Sequence, residues 1–254
     1  MLIQGAILGY ISRIGAMQTS HSTLVLRGIS SMATKALLAD LTQAYQSKTG
    51  VSVQIESVGG VDAAKRVQAG EALDVVLLAS DAIDRLMASA HVVPGSRQDW
   101  VRSPVAVAVP AGAAHPDLHN EAALKAAVMN SASLSYSTGP SGVYLEKLFE
   151  RWGIAEQVKT RLVVPPPGTP VGALVAQGKA ALGFQQLSEL IALPGIEVLG
   201  TLPDEVAFIT TFSAGVASVI ANDASRVAAV QSFLQFLASA QVQDVKRRHG
   251  MDGL

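Results

Sequence analysis

Apolar and polar positions alternate along this chain in two different periods, and the switch between them recurs. Residues 24–26 read as a short buried strand. Gly28, Ser30 and Ser31 follow as a loop, and Leu37, Leu38, Leu41, Ala44 and Tyr45 then share one helical face. The same order returns with a strand over 51–56, a Gly59-Gly60 loop and a helix over 62–69 that Gly70 ends. Residues 74–79 are continuously apolar after Asp74 and predict a buried strand, with Asp81 as cap of a helix reaching 89. A strand over 105–109 closes on Pro110 and Gly112.

The middle of the chain predicts a helix over 121–128, a strand over 133–136 and a loop over 139–142. A helix with Tyr144, Leu145, Leu148, Phe149 and Trp152 at core spacing comes next. A strand over 160–164 is broken by the prolines at 165–167, and Thr169 is the expected cap of a helix with Pro170 at its first position. A strand over 181–184 leads into Gln185-Gln186, and a long strand covers 208–219. Two amphipathic helices, 223–239 and 240–249, complete the pattern. Strands alternating with helices predict an α/β protein with mainly parallel sheets. With no linker between them, two lobes would be intertwined rather than joined end to end.

Composition narrows the chemistry. The chain has 254 residues, a formal net charge of -1 and no cysteine. Disulfides, thiolate catalysis and zinc–thiolate sites are excluded, and nothing in the charge balance points to nucleic acid. The five histidines are scattered, and Pro116 lies between His115 and His119, against a helical metal pair. All five read as surface residues, and no cofactor is expected. In residues 1–23 the basic residue follows the short apolar run, the reverse of a secretory signal. That stretch reads as a disordered extension or as sequence upstream of a true start at Met17. Each helix start offers unpaired N–H groups and the positive end of a dipole, which favours anions.

Four of these loops, in order, resemble the periplasmic molybdate-binding protein family, with its type 2 periplasmic-binding-protein fold. They are Gly28-Ile29-Ser30-Ser31-Met32, the run from Val58-Gly59-Gly60 through Gly70 to Asp74, then Pro140-Ser141-Gly142, and Leu182-Gly183-Phe184. The resemblance spans about 24–250. It implies two α/β lobes, 24–103 plus 213–254 and 104–212, with the hinge near Arg102-Ser103 and Thr210-Thr211. It also implies a ligand in the cleft, a periplasmic location, a monomer and membrane subunits of an ABC transporter as partners. Residues 1–23, on their own pattern, leave a cytoplasmic location open.

Carried across one at a time, the family's ligand contacts fall on Ser31, Gly60, Ser141, Gly168 and Gln186. A family serine is replaced at Gly60 and a family tyrosine at Gln186, so two side chains suited to a tetrahedral oxyanion are missing. Ser30, Gly59 and Gly142 accompany these contacts as candidate ligand-binding positions. Arg27 sits at the expected end of the first strand, where a guanidinium would fork a carboxylate. Either it marks the ligand as an organic carboxylate, or it pairs with an internal acid, or the strand ends elsewhere. Glycines 59 and 60 serve a turn or a ligand; Ser30, Ser31 and Ser141 cap helices or bind; Gln185 and Gln186 face solvent or the cleft. Thr210, Thr211 and Ser213 interrupt an apolar strand near the hinge.

Three functions fit. The first is a solute-binding protein for a small anion, more an organic carboxylate than molybdate. The second is an isomerase resembling aconitate isomerase, with Lys65, Tyr144 and Glu189 as candidate proton carriers. The third is a ligand-sensing domain, for which no DNA-binding helix pair is evident.

Overall fold

The computed structural model describes residues 24–166 and 168–254. The expectations for residues 1–23, including His21, lie outside the described residues. Along the chain run β1 (Val25–Ser31), α1 (Lys35–Thr49), β2 (Ser52–Val58), α2 (Gly60–Gln68), β3 (Val75–Ala79), α3 (Ser80–Ala88) and β4 (Gln98–Pro110). Then come α4 (Glu121–Asn130), β5 (Leu134–Tyr136), α5 (Pro140–Arg151), α6 (Ala155–Lys159), α7 (Val171–Ala176), β6 (Leu182–Gln186) and α8 (Leu187–Leu190). The chain ends with β7 (Ile196–Thr201), β8 (Ile209–Val216), α9 (Ala224–Ala238), α10 (Gln243–Arg248) and β9 (Asp252–Gly253).

The strand order is β2-β1-β3-β8-β4-β6-β5, with β7 and β9 both pairing with β4. Pairing is parallel across β2-β1-β3 and between β5 and β6. It is antiparallel wherever β4 or β8 takes part, since these strands carry the chain between the lobes in opposite directions. The first half of β4 pairs with β8, from Gln98 opposite Ala214 to Pro104 opposite Ile209. Its second half pairs with β6 and β7. One strand thus belongs to both halves of a two-lobed α/β fold.

Burial follows this division. Leu26, Leu41, Trp100, Phe212 and Phe233 form one core. Ile29, Val76 and Ile83 pack on the other face of the same strands. Val107, Leu145, Phe149 and Phe184 form the core beyond the crossing strand. Gly28 is set by packing: a Cβ there would lie 2.5 Å from Ile55 Cδ1 and 2.6 Å from Val75 Cγ1.

Several local expectations are corrected. Residues 160–164 form no strand; Leu162 makes only an isolated bridge with Leu134. Arg161 there spends its guanidinium on the carbonyls of Val128, Met129 and Ser131, closing the carboxyl end of α4. Pro170, not Thr169, is the N-cap of α7. Asp81 lies inside the first turn of α3 and pairs with Arg85, without capping. β7 and β9 have no counterpart in the sequence expectations. Among the described residues no helix is long and apolar enough to cross a membrane.

Candidate functional site

The carboxyl ends of β1 and β2 meet the start of α2. Ser30 and Ser31 are the last residues of β1 and stay in register with Ser57 and Val58 of β2. The Ser30 hydroxyl lies 2.7 Å from that of Ser57, so it stitches the two strands together inside the protein. Ser31 points to the opposite face. Its carbonyl accepts from the Thr34 hydroxyl at 3.2 Å, but its own Oγ is buried with no partner among the described residues. Gly59 is the N-cap of α2 and Gly60 its first residue. The Gly59 carbonyl accepts the first helical bond, from the Ala63 amide at 2.9 Å, and leaves earlier amides of the turn without intrahelical partners. An ideal Cβ on Gly60 would have Ser31 Cβ as its nearest neighbour, at 3.8 Å. Ser31 and Gly60 therefore stand side by side.

In the second lobe, β5 is followed by Ser137 and then by Gly139, the N-cap of α5. Ser141 is buried in the first turn, its hydroxyl 2.8 Å from that of Ser137. Gly142 answers a packing demand, because a Cβ would fall 1.7 Å from the Ser137 carbonyl oxygen. At the end of β6 both glutamines are buried. Gln186 donates from Nε2 to Thr210 Oγ1 at 2.6 Å, while its Oε1 is buried with no partner among the described residues. Gln185 accepts from the Gly172 amide at 3.0 Å and donates to Glu189 Oε1 at 2.7 Å. The lobes meet where α8 packs against the 32–34 turn. Ser31 immediately precedes that turn and Gln186 immediately precedes α8, so they flank one contact.

Other expected residues lie elsewhere. Arg27 is the main correction: β1 continues past it to Ser31, and Arg27 sits in mid-strand opposite Gln54. Its amide donates to Asp74 Oδ2 at 2.7 Å, and its exposed side chain lines a separate cavity of about 570 Å³ with Asp74 and Arg226. The strand runs on because Ser30 finds its partner in Ser57, which a loop assignment leaves out. Gly168 is an exposed turn residue with φ +75°, and its Cβ position has nothing within 4 Å. Lys65 is exposed. Tyr144 is tied up in the second-lobe core, donating to the Val206 carbonyl at 2.9 Å and stacking on Phe208. Ser213 donates to Asp99 at 2.6 Å, and Thr211 lies opposite Arg102. Among the described residues no His, Cys, Asp and Glu cluster is placed to hold a metal.

Glu189 is half-buried on α8, and loss of hydration pushes its carboxyl up to about 7 against the opposing bond from Gln185. The candidate residues offer hydroxyls, backbone amides and one primary amide, and the Glu189 carboxyl is bonded to Gln185, which the Gly172 amide anchors to α7. Sequence reasoning missed Ser57 and Ser137. Their signal was available, since each is a hydroxyl residue three positions before a helix start, Ser57 near the end of β2 and Ser137 just after β5.

The fold is a two-lobed α/β one, and the chain belongs to the bacterial extracellular solute-binding protein family, which matches residues 26–252. An aconitate isomerase from Pseudomonas sp. is 37% identical over 246 residues, covering 94% of this chain and 90% of that protein. The molybdate-binding protein ModA of Escherichia coli (strain K12) is 20% identical over 218 residues, covering 84% and 83%. In structure the chain is similar to the periplasmic molybdate-binding protein of Azotobacter vinelandii, with a TM-score of 0.72 at 18% identity over 89% of this chain and 98% of that one.

Proposed function

We propose that this chain takes a small organic polycarboxylate into the cleft between its lobes and isomerises it by proton transfer, as an aconitate isomerase does. The observation that carries the reading is a pair of buried, unpartnered polar atoms, Ser31 Oγ and Gln186 Oε1, on the two sides of one lobe contact. Buried polar groups are almost always satisfied, so a ligand is the natural partner for both. The likeness to an aconitate isomerase at 37% identity favours a carboxylate over a metal oxyanion.

In this reading the Ser31 hydroxyl and the first amides of α2 hold carboxylate groups, together with the Gln186 NH₂ once its carboxamide turns over so that the Thr210 hydroxyl donates to Oε1. They also stabilise the charge that spreads onto a carboxylate when the neighbouring carbon loses its proton. Glu189 is the proton carrier: Lys65 is exposed, Tyr144 is spent on Val206, and the Glu189 carboxyl is poised near neutrality. The lobes are 24–103 plus 213–254 and 104–212. Their hinge lies where Arg102 and Ser103 pair with Thr211 and Thr210.

Incubation with cis-aconitate in D₂O, followed by proton NMR, tests this directly. Appearance of trans-aconitate, with deuterium at the exchanged carbon, is the expected result. Binding of the carboxylate without turnover would favour a second reading, delivery of the solute to the membrane subunits of an ABC transporter, which family membership supports.

A further inference from the structure

We infer that Gly60 sets the class of ligand, by keeping open the space beside the Ser31 hydroxyl that an extended carboxylate arm occupies. This rests on the polycarboxylate reading and assigns its selectivity to one position.

The fold itself makes no demand for glycine here. Gly60 is not among the residues with positive φ. Its missing Cβ would meet only Ser31 Cβ, at 3.8 Å, an ordinary contact. Elsewhere the chain shows what a packing glycine looks like: the closest approach is 1.7 Å at Gly142, 2.4 Å at Gly183 and 2.5 Å at Gly28. Glycine is also a weaker helix former than alanine. A residue that costs stability, relieves no strain and avoids no clash with protein is small for the sake of something outside the protein. Ser31, about nine-tenths buried and unpartnered, marks where that something sits. The Gly60 amide adds a donor without an intrahelical partner on the same side. A side chain at 60 would stand in this space and shorten the ligand that fits, and a serine would add a hydroxyl suited to a compact oxyanion.

The test is isothermal titration of the full chain and its Gly60→Ala and Gly60→Ser variants with trans-aconitate, tricarballylate, molybdate and sulfate. Melting temperatures are measured alongside. We expect both variants to melt at or above the wild-type temperature. Both should bind the two polycarboxylates about tenfold or more weakly, and Gly60→Ser should bind molybdate more tightly than wild type. Polycarboxylate affinity unchanged within twofold in both variants would overturn the inference and leave the functional reading standing. Melting temperatures well below wild type in both would also overturn it, by showing that the fold needs the glycine. A wild-type chain that binds no polycarboxylate would overturn the functional reading and the inference together.

Discussion

Gln186 donates its amide hydrogen to Thr210 Oγ1 at 2.6 Å, joining the last residue of β6 to the second residue of β8, where β8 pairs with Ser103 of β4. The carboxamide is two-sided. If it turns over, the Thr210 hydroxyl donates to its oxygen, and the NH₂ group faces the space where the unpartnered atom now lies. That orientation offers a donor to an anion and keeps the threonine contact. Gln186→Leu should therefore weaken ligand binding by about 1.5–3 kcal/mol, read by calorimetry. Gln186→Glu should abolish binding at neutral pH, because a carboxylate would face an anion. Equal affinity in both variants would remove Gln186 from the site.

Ser31 gives the opposite balance of stability and binding. Its buried hydroxyl makes no bond among the described residues, so Ser31→Ala removes a polar atom without breaking a contact there. The melting temperature should stay level or rise. Affinity should fall by about 1.5–3 kcal/mol, the range for a hydrogen bond to a charged group. A variant that lost stability but not affinity would make this serine structural.

Glu189 should shape the pH profile. Burial raises its carboxyl from 4.5 to about 7, so the folded chain holds a proton there that the unfolded chain releases. The stabilisation is complete below pH 4.5 and is lost as pH rises through 7. Glu189→Gln keeps a neutral group throughout. Its melting temperature relative to wild type should climb over that interval, and turnover of cis-aconitate should fall at every pH. Parallel melting curves for the two proteins would argue against the buried carboxyl.

Lys246 predicts a shift of the other sign. It is fully buried, donates to the Trp100 carbonyl at 2.6 Å, and has its ammonium 5.9 Å from the Trp100 ring centre. Burial lowers its pKa from 10.5 to about 8. The charged form is disfavoured by folding, so the penalty stands below pH 8 and is relieved between 8 and 10.5. Stability should rise over that window in wild type. Lys246→Met should remove the rise and melt higher at pH 7, since an apolar side chain replaces a buried charge without an acidic partner. Thermal melts at pH 7 and pH 10 decide it.

Much of the architecture was legible because its signals are local. Glycine stops, helix faces such as Leu37, Leu38 and Leu41, and the apolar run of β3 are set by neighbours in sequence. What escaped depends on distant partners. Ser30 reads as a loop residue until Ser57 is placed 2.7 Å away, and only then does β1 extend past Arg27. The first half of β4 carries Gln98, Asp99, Arg102 and Ser103, a polar stretch that becomes strand because β8 lies beside it. β7 is half-exposed and, among the described residues, pairs in the sheet with β4. Among the candidate positions, Ser31 came from the family resemblance, and Gln186 from that resemblance and from its place after a buried strand. The commitment of Tyr144 to Val206, across 62 residues of chain, could not be seen from sequence.

The crossing strands also set the order in which the molecule can be finished. β3, apolar along its length, has its second edge covered only by β8. About 130 residues separate the two. At a synthesis rate of about 5–20 residues per second, that edge stays open for roughly 7–26 seconds on a nascent chain. The second half of β4, β5, β6 and β7 lie contiguously inside the same interval. The strands of the second lobe are therefore made before the first lobe receives its closing strand, and the cleft, which needs both, is the last part of the molecule that synthesis can complete.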